Sequence, residues 1–420
     1  MDLVVKKFGG TSVGDISKIQ GVADLIVRYI SQKNRRVVAV VSAMAGETNR
    51  LLHLGRSCVA SPVPRELDVL LSTGEQVTTA LLAMALCERG VKAKSFSGWQ
   101  ANISTDRNFS RAHIKAIDTK ALNQALEGGF VPVVAGFQGI DDEGDITTLG
   151  RGGSDITAVA LAAALKADRC YIYTDVPGVF TADPSVCSSA KLLRQISHEE
   201  MLEFSSLGAK VLHPRSVYFA MAYNIPLVVK STFQEGSGTW IVKEGKLMEK
   251  PIVTGITYRT DEAKITVSKL PAASSAFGAL FKRLANEGIF IDMITQTGFD
   301  GKLTDISFTV LDEQSSLALE ITQNLVPELR AQGAFCDRNI AKISVIGIGM
   351  RYHTGVAARI FEALAKEDIA VEMISTSEIK VSVVVPRKYW EVAVHTLHSA
   401  FVGEDLTIEK ESQDEIRSAV

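Results

Sequence analysis

Two glycine-rich segments carry the residues best suited to chemistry. The first, KFGGTSVG at Lys7 to Gly14, follows a β-branched run and precedes an amphipathic one. Adjacent glycines let backbone N–H groups approach an anion closely, and a helix N-terminus beyond them adds a positive dipole. Lys7 would bring a full positive charge to a phosphate held there, although the same residues also suit a tight turn with a solvated lysine. The second segment, TTLGRGGSD at Thr147 to Asp155, opens an Ala-rich helical run and carries Arg151, Ser154 and Asp155. Asp155 could orient a lysine through charge-assisted hydrogen bonds, or could serve only as a helix N-cap. Two anion sites suit two anionic substrates, and phosphoryl transfer to a carboxylate fits them. That nucleophile is already ionised, so positioning and charge neutralisation suffice without a general base.

Other chemistries are excluded. There is no GxxxxGK[ST], hence no P-loop. The GxG at Gly347 to Gly349 lacks its third glycine, Tyr352 standing there, and reads as a turn rather than a dinucleotide fingerprint. The five cysteines are scattered and never spaced CxxC, which suits reduced thiols and no protein-held metal. Lys plus Arg number 45 against 48 Asp plus Glu, a net charge of −3, so no nucleic-acid partner is expected. The N-terminal residues do not form a signal peptide. The longest apolar stretch, Ile156 to Leu165, is far short of the roughly 20 residues of a membrane span. A cytoplasmic protein with no membrane partner is expected.

A chain of 420 residues should fold as two or three domains. In the first part, candidate strands at Leu3 to Lys6, Val37 to Val41, Val131 to Ala135, Arg169 to Thr174 and Leu227 to Val229 alternate with helical patterns. The helices are expected at Ser17 to Ser31, Thr73 to Arg89, Ser110 to Glu127 and Ser154 to Leu165. Strand and helix in alternation imply an α/β domain with a mainly parallel sheet between helices. After Ser231 the composition shifts to Gly, Lys and Glu, placing a boundary near Met248. Beyond it lies an internal repeat: Lys264 to Ile294 realigns with Lys342 to Ile374. Phe281 matches Phe361, Leu284 matches Leu364, Ile289 matches Ile369 and Met293 matches Met373. Each copy reads strand, turn, helix, strand, then an alternating strand (Ile306 to Val310, Val381 to Val385) and another helical stretch. That is the ferredoxin-like βαββαβ pattern. The expected domains are 1–248, 249–335 and 336–420.

KFGGTS, VSAM at Val41 to Met44, STGEQ at Ser72 to Gln76, GRGGSD, YTDVPGVFTADP at Tyr173 to Pro184 and LGAKVLHPRS at Leu207 to Ser216 occur in that order. With the paired modules they resemble the aspartate kinase branch of the amino-acid kinase family, whose C-terminal modules are ACT domains. The resemblance implies transfer of the ATP γ-phosphate to the side chain of L-aspartate, giving 4-phospho-L-aspartate, the first step toward lysine, threonine and methionine. Mg²⁺ would be held mainly by the nucleotide phosphates.

Carried over, Lys7, Phe8, Gly9 and Gly10 would meet the phosphates, with Lys7, Asp155 and Lys210 as the catalytic charges. Ser42, Thr48, Glu75, Arg151 and Ser154 would surround aspartate, Arg151 gripping the α-carboxylate and Glu75 pairing with the α-ammonium. Thr174, Asp175, Phe180, Thr181, Ala182, Asp183, Pro184, Ser185 and Lys210 would hold the nucleotide, Ser185 standing where the family often has arginine. Glu75 could instead be an exposed helix residue and Lys210 a surface lysine, while His213 reads as structural.

A lysine or threonine effector would meet Asp292 and Gln296 of the first module, and Val356, Ala357, Ala370, Val371, Ser377 and Glu378 of the second. The modules' turns, LPAASSAFG and MRYHTG, depart from the family's acidic-x-Pro-Gly and MRSHPG. Association as a homodimer or homotetramer through the ACT halves is implied. The alternatives are a glutamate-type kinase and a catalytically silent amino-acid sensor.

Overall fold

The computed structural model of the chain describes residues 2–32, 35–245, 251–272, 274–298 and 302–402. The expected boundary at Met248 and residues 403–420 lie outside these. Two compact units emerge. The first is Met1–Val179, Leu192–Ser206 and Lys210–Lys246; the second is Phe180–Lys191, Leu207–Ala209 and Leu247–Val420.

The first unit opens with β1 (Asp2–Phe8), α1 (Ile16–Ile30), β2 (Arg35–Val41), α2 (Glu47–Cys58), α3 (Pro64–Glu88) and β3 (Ala93–Phe96). There follow β4 (Ile103–Thr105), β5 (Ile114–Ile117), α4 (Lys120–Glu127), β6 (Val131–Ala135), β7 (Gln138–Ile140), β8 (Ile146–Thr148), α5 (Gly153–Ala164) and β9 (Arg169–Thr174). It closes with β10 (Gln195–Ser197), α6 (His198–Ser206), α7 (Pro214–Ala222), β11 (Leu227–Ser231) and β12 (Thr239–Val242). An eight-stranded sheet runs β10-β12-β11-β9-β1-β2-β6-β3. It is parallel except where β12 meets β11. Strands β2 and β6 are mostly buried apolar residues, as helices on both faces require. Helix α1 begins at Asp15, whose side chain accepts from Lys18 N at 2.9 Å, and buries Ile19, Val22, Ala23 and Ile26 along one stripe. On β1 the strand alternation sends consecutive lysines to opposite faces. Lys6 is buried with its Nζ 3.7 Å from the centre of the Tyr29 ring, and burial together with Lys230 and Arg35 pushes its ammonium down to about 7. Lys7 is thereby left for the other face.

Two expectations need correction here. Ser110 to Glu127 is not one helix: Ile114–Ile117 pairs with β4 in a small sheet, β5-β4-β7-β8, and only Lys120–Glu127 is helical. Tertiary pairing overrides the local helical pattern. Helix α3 also starts at Pro64 rather than Thr73, the proline sitting where a helix needs no N–H. By length and composition α3 could cross a membrane, contrary to the reading of Ile156 to Leu165 as the longest apolar stretch. Half of that apolar window is buried inside the protein, as in the core helix of a folded domain.

The second unit contains β13 (Gly255–Arg259), β14 (Glu262–Pro271), α8 (Ser274–Asn286), β15 (Ile291–Thr297), β16 (Leu303–Leu311), α9 (Asp312–Leu329) and β17 (Gly333–Asp337). Then come β18 (Ile340–Ile346), α10 (Val356–Lys366), β19 (Met373–Thr376), β20 (Lys380–Pro386) and α11 (Trp390–Val402). The sheet β15-β16-β14-β17 takes all its strands from the first repeat. Its counterpart, β19-β20-β18-β13, fills the edge position of β17 with a strand from upstream of the first repeat. The repeat shows in burial: Leu284 and Leu364, Ile289 and Ile369, and Met293 and Met373 are buried in pairs. Met293 and Met373 join Ile340 and Val384 in one cluster where the two sheets meet. Charges lie there too. Lys342, 1% exposed, bonds to Glu262 Oε1 at 2.5 Å and to Asp292, with Glu262 itself 2% exposed.

Lys342→Met should cost on the order of 3 kcal/mol, because it takes the nearer of two cations from a buried carboxylate and leaves Glu262 only Arg259 at 3.4 Å. Adding Glu262→Leu should restore most of that loss. Chemical denaturation of the single and double variants checks it.

Candidate active site

Parallel register gathers the candidate residues at the C-terminal ends of the strands, where ligands of open α/β sheets bind. Phe8 is level with Val41 on one side and Tyr173 on the other. Past those ends, Gly9 N donates to Tyr173 O (3.1 Å), Ser42 N to Phe8 O (3.1 Å) and Gly136 N to Val41 O (3.0 Å). The KFGG segment, Ser42 and Thr174 are thus neighbours. Lys7 is not a solvated turn lysine. Its Nζ lies 2.6 Å from Asp155 Oδ1, and the two side chains are only 11% and 13% exposed. The approach is off the hydrogen-bonding axis, so the contact is chiefly coulombic. Asp155 is not the N-cap of α5, a place held by Gly152; it stands in the first turn, where a carboxylate also meets the helix dipole favourably.

Glu75 is not an exposed helix residue. It is 3% exposed on α3, and its Oε1 accepts from Ala43 N at 3.0 Å. Gly74 makes this approach possible, since a Cβ there would sit 2.9 Å from the Ala43 Cβ. Glu75 Oε2 is buried without a hydrogen-bond partner among the described residues. Burial pushes its carboxyl up to about 7, the Ala43 amide offsetting only part of the effect. Such an oxygen fits a cationic donor. Ser42 and Thr48 are half-buried close by in sequence, Thr48 in the first turn of α2.

The second glycine-rich segment turns from β8 into α5 through Gly150 and Gly152, both at positive φ (75° and 72°). Ser154 and Asp155 are buried, whereas Arg151 is exposed and makes no hydrogen bond or ion pair among the described residues. Two residues outside the candidate site set brace this turn. Asp68 bonds Thr148 and Ser110, and Arg215 of HPRS bonds the carbonyls of Leu149 and Ala112. The available signal for Asp68 was a lone carboxylate inside the apolar run LDVLL at Leu67 to Leu71. His213 caps α7, accepting from Arg215 N, and its ring backs Gly152.

The other candidates lie as follows. Thr174 Oγ1 donates to Asp175 at 3.1 Å. Lys210, in the first unit, is exposed. Phe180 to Ser185 belongs to the second unit, where Thr181 Oγ1 is hydrogen-bonded to His398 (2.9 Å) and Tyr258 donates to Asp183 (3.1 Å). Of the effector candidates, Asp292 is tied to Lys342 and Glu378 pairs with Arg351 at 3.1 Å. Gln296 lies on β15, Val356 and Ala357 open α10, Ala370 and Val371 precede β19, and Ser377 N donates to Lys380 O.

Gly152→Ala should cost on the order of 2 kcal/mol or more, through left-handed strain and a Cβ pressed into His213. Denaturation midpoints of that variant against wild type check it.

Residues 2–231 match the amino acid kinase family model, and residues 343–401 an ACT domain model. The aspartate kinase of Stutzerimonas stutzeri (strain A1501) is 52% identical over 402 residues, covering 96% of this chain and 97% of that protein. Among solved structures, E. coli aspartokinase III in complex with aspartate and ADP (R-state) superposes with a TM-score of 0.79 at 28% identity, over 96% of this chain and 100% of that one. The same E. coli enzyme in complex with lysine and aspartate (T-state) gives 0.74 at 29%, with the same coverage.

Proposed function

The chain belongs to the amino acid kinase family, in its aspartate kinase branch, and from that premise we propose that it moves the γ-phosphate of ATP onto the side-chain carboxylate of L-aspartate. The observation that carries this reading is the buried, half-satisfied carboxylate of Glu75, two short backbone links from the Lys7–Asp155 pair. Glu75 takes the α-ammonium, Arg151 the α-carboxylate as a fork, and Ser42, Thr48 and Ser154 complete the shell. The aspartate side chain, ionised at neutral pH, then needs only to be aimed. Lys7, oriented by Asp155, neutralises charge on the transferring phosphoryl group, with Lys210 as a second cation. The backbone of Phe8, Gly9 and Gly10 lies against the phosphates, and Thr174 and Asp175 border the nucleotide. Among the described residues no group of three or more His, Cys, Asp or Glu side chains could hold a metal. Mg²⁺ carried mainly by the nucleotide phosphates would supply further charge neutralisation there.

The second half we propose as regulatory, with the sequence boundaries near 248 and 335 kept and Gly255–Arg259 lent to the second ACT module. A lysine or threonine effector would act by favouring a less active state. E. coli aspartokinase III, solved with lysine, supports lysine as the first candidate. Assembly as a homodimer or homotetramer through the ACT halves, and a cytoplasmic location, belong to the same proposal.

Coupled ADP release should proceed with L-aspartate and not with L-glutamate; the reverse preference would make this a glutamate-type kinase, and silence with both an amino-acid sensor. Lys7→Ala should lose about two to three orders of magnitude in kcat while the aspartate KM changes little. A variant that keeps more than about a tenth of kcat would remove Lys7 from its role.

A further inference from the structure

We propose that Asp68 and Arg215 are positioning residues for the amino-acid substrate: an anion from α3 and a cation from α7 that grip the turn bearing Arg151 from two sides. The proposal rests on the aspartate reading above. Asp68 stands two helical turns before Glu75, so one rigid helix presents both carboxylates on its buried face. Asp68 is 0% exposed. Its Oδ2 accepts from Ser110 N (2.8 Å) and Thr148 N (2.7 Å), its Oδ1 from Ser110 Oγ (3.1 Å) and Thr148 Oγ1 (2.9 Å). Four donors saturate a carboxylate.

Thr148 ends β8, three residues before Arg151. Ser110 holds the left-handed conformation at φ 67°, and its carbonyl backs Gly150 so closely that a Cβ there would come within 2.9 Å. From the other side Arg215 Nη1 donates to Leu149 O (2.7 Å) and Nη2 to Ala112 O (3.0 Å). Ala112 N donates to Thr148 O (2.9 Å), closing the braced pair of segments into one block. The consequence is specific. Glu75 and Arg151 must stand as far apart as the ammonium and α-carboxylate of one amino acid, and Asp68 ties the helix of the first to the turn of the second. Aspartate binding depends on that spacing more than nucleotide binding does.

Steady-state kinetics of Asp68→Ala, Asp68→Asn and Arg215→Lys test this, together with hydrogen exchange of the Leu149 to Gly153 amides. Asparagine can accept both backbone N–H groups at its carbonyl oxygen and donate its amide protons to both hydroxyls, so it keeps the geometry without the charge. Asp68→Ala should raise the aspartate KM about tenfold or more and leave the ATP KM within about twofold. Asp68→Asn should stay within about threefold of wild type in both. Arg215→Lys, a point charge unable to span two carbonyls, should behave like Asp68→Ala. Exchange at Leu149 to Gly153 should quicken in Asp68→Ala and not in Asp68→Asn. Equal movement of both KM values, or failure of asparagine to rescue, overturns the proposal in favour of general destabilisation. Should wild type turn over no aspartate, the substrate reading fails by itself; the clamp is then decided by exchange, and unchanged exchange in Asp68→Ala sinks it.

Discussion

A lysine ammonium and a carboxylate 2.6 Å apart, both nearly out of water, tie the end of β1 to the first turn of α5. Neither charge could be left there alone, because an unpaired buried ion costs several kcal/mol. The pair therefore requires that the two glycine-rich segments, far apart in sequence, arrive together. The parallel sheet delivers one, since β1 lies between β2 and β9 and its end is flanked by Ser42 and Thr174. The turn from β8 delivers the other, braced by Asp68 and Arg215. In the proposed reaction the same ammonium would meet phosphate, so the interaction that closes the site also charges it.

Much of the first unit was legible because its signals are local. Val131–Ala135 is an uninterrupted apolar run, Arg169–Thr174 is aromatic, apolar or β-branched after its leading arginine, and the strands have those limits. The ACT pair was legible for a different reason: a repeat needs the same residues buried twice, and Leu284 with Leu364 and Met293 with Met373 are. What failed was non-local. Ile114–Ile117 is a strand only because Ile103–Thr105 lies beside it. Gly255–Arg259 completes a sheet whose other strands begin at Ile340, and no window of sequence contains both.

The site divided along the same line. Motif order brought Lys7, Glu75, Arg151 and Ser154 forward, since each stands in a segment whose glycines or polar residues make no sense as core. The burial of Glu75 was not readable, because a glutamate at helical spacing looks solvent-facing until Gly74 is seen to admit Ala43. Asp68 was missed for a related reason. Starting α3 at Thr73 left it outside the helix, and its four donors come from segments 42 and 80 residues away.

The account turns on Glu75 as the partner of the substrate ammonium, and pH reads that most directly. Burial holds its carboxyl near 7, so in free enzyme a proton must leave before the carboxylate can pair with a cation. The pH dependence of kcat/KM for aspartate reports groups of the free enzyme. It should rise through about pH 7 and level off in wild type, and Glu75→Gln should show a much lower value with that rising limb gone. A wild-type profile flat between about pH 6 and pH 8, or a glutamine variant with the same limb and a normal aspartate KM, would contradict the assignment.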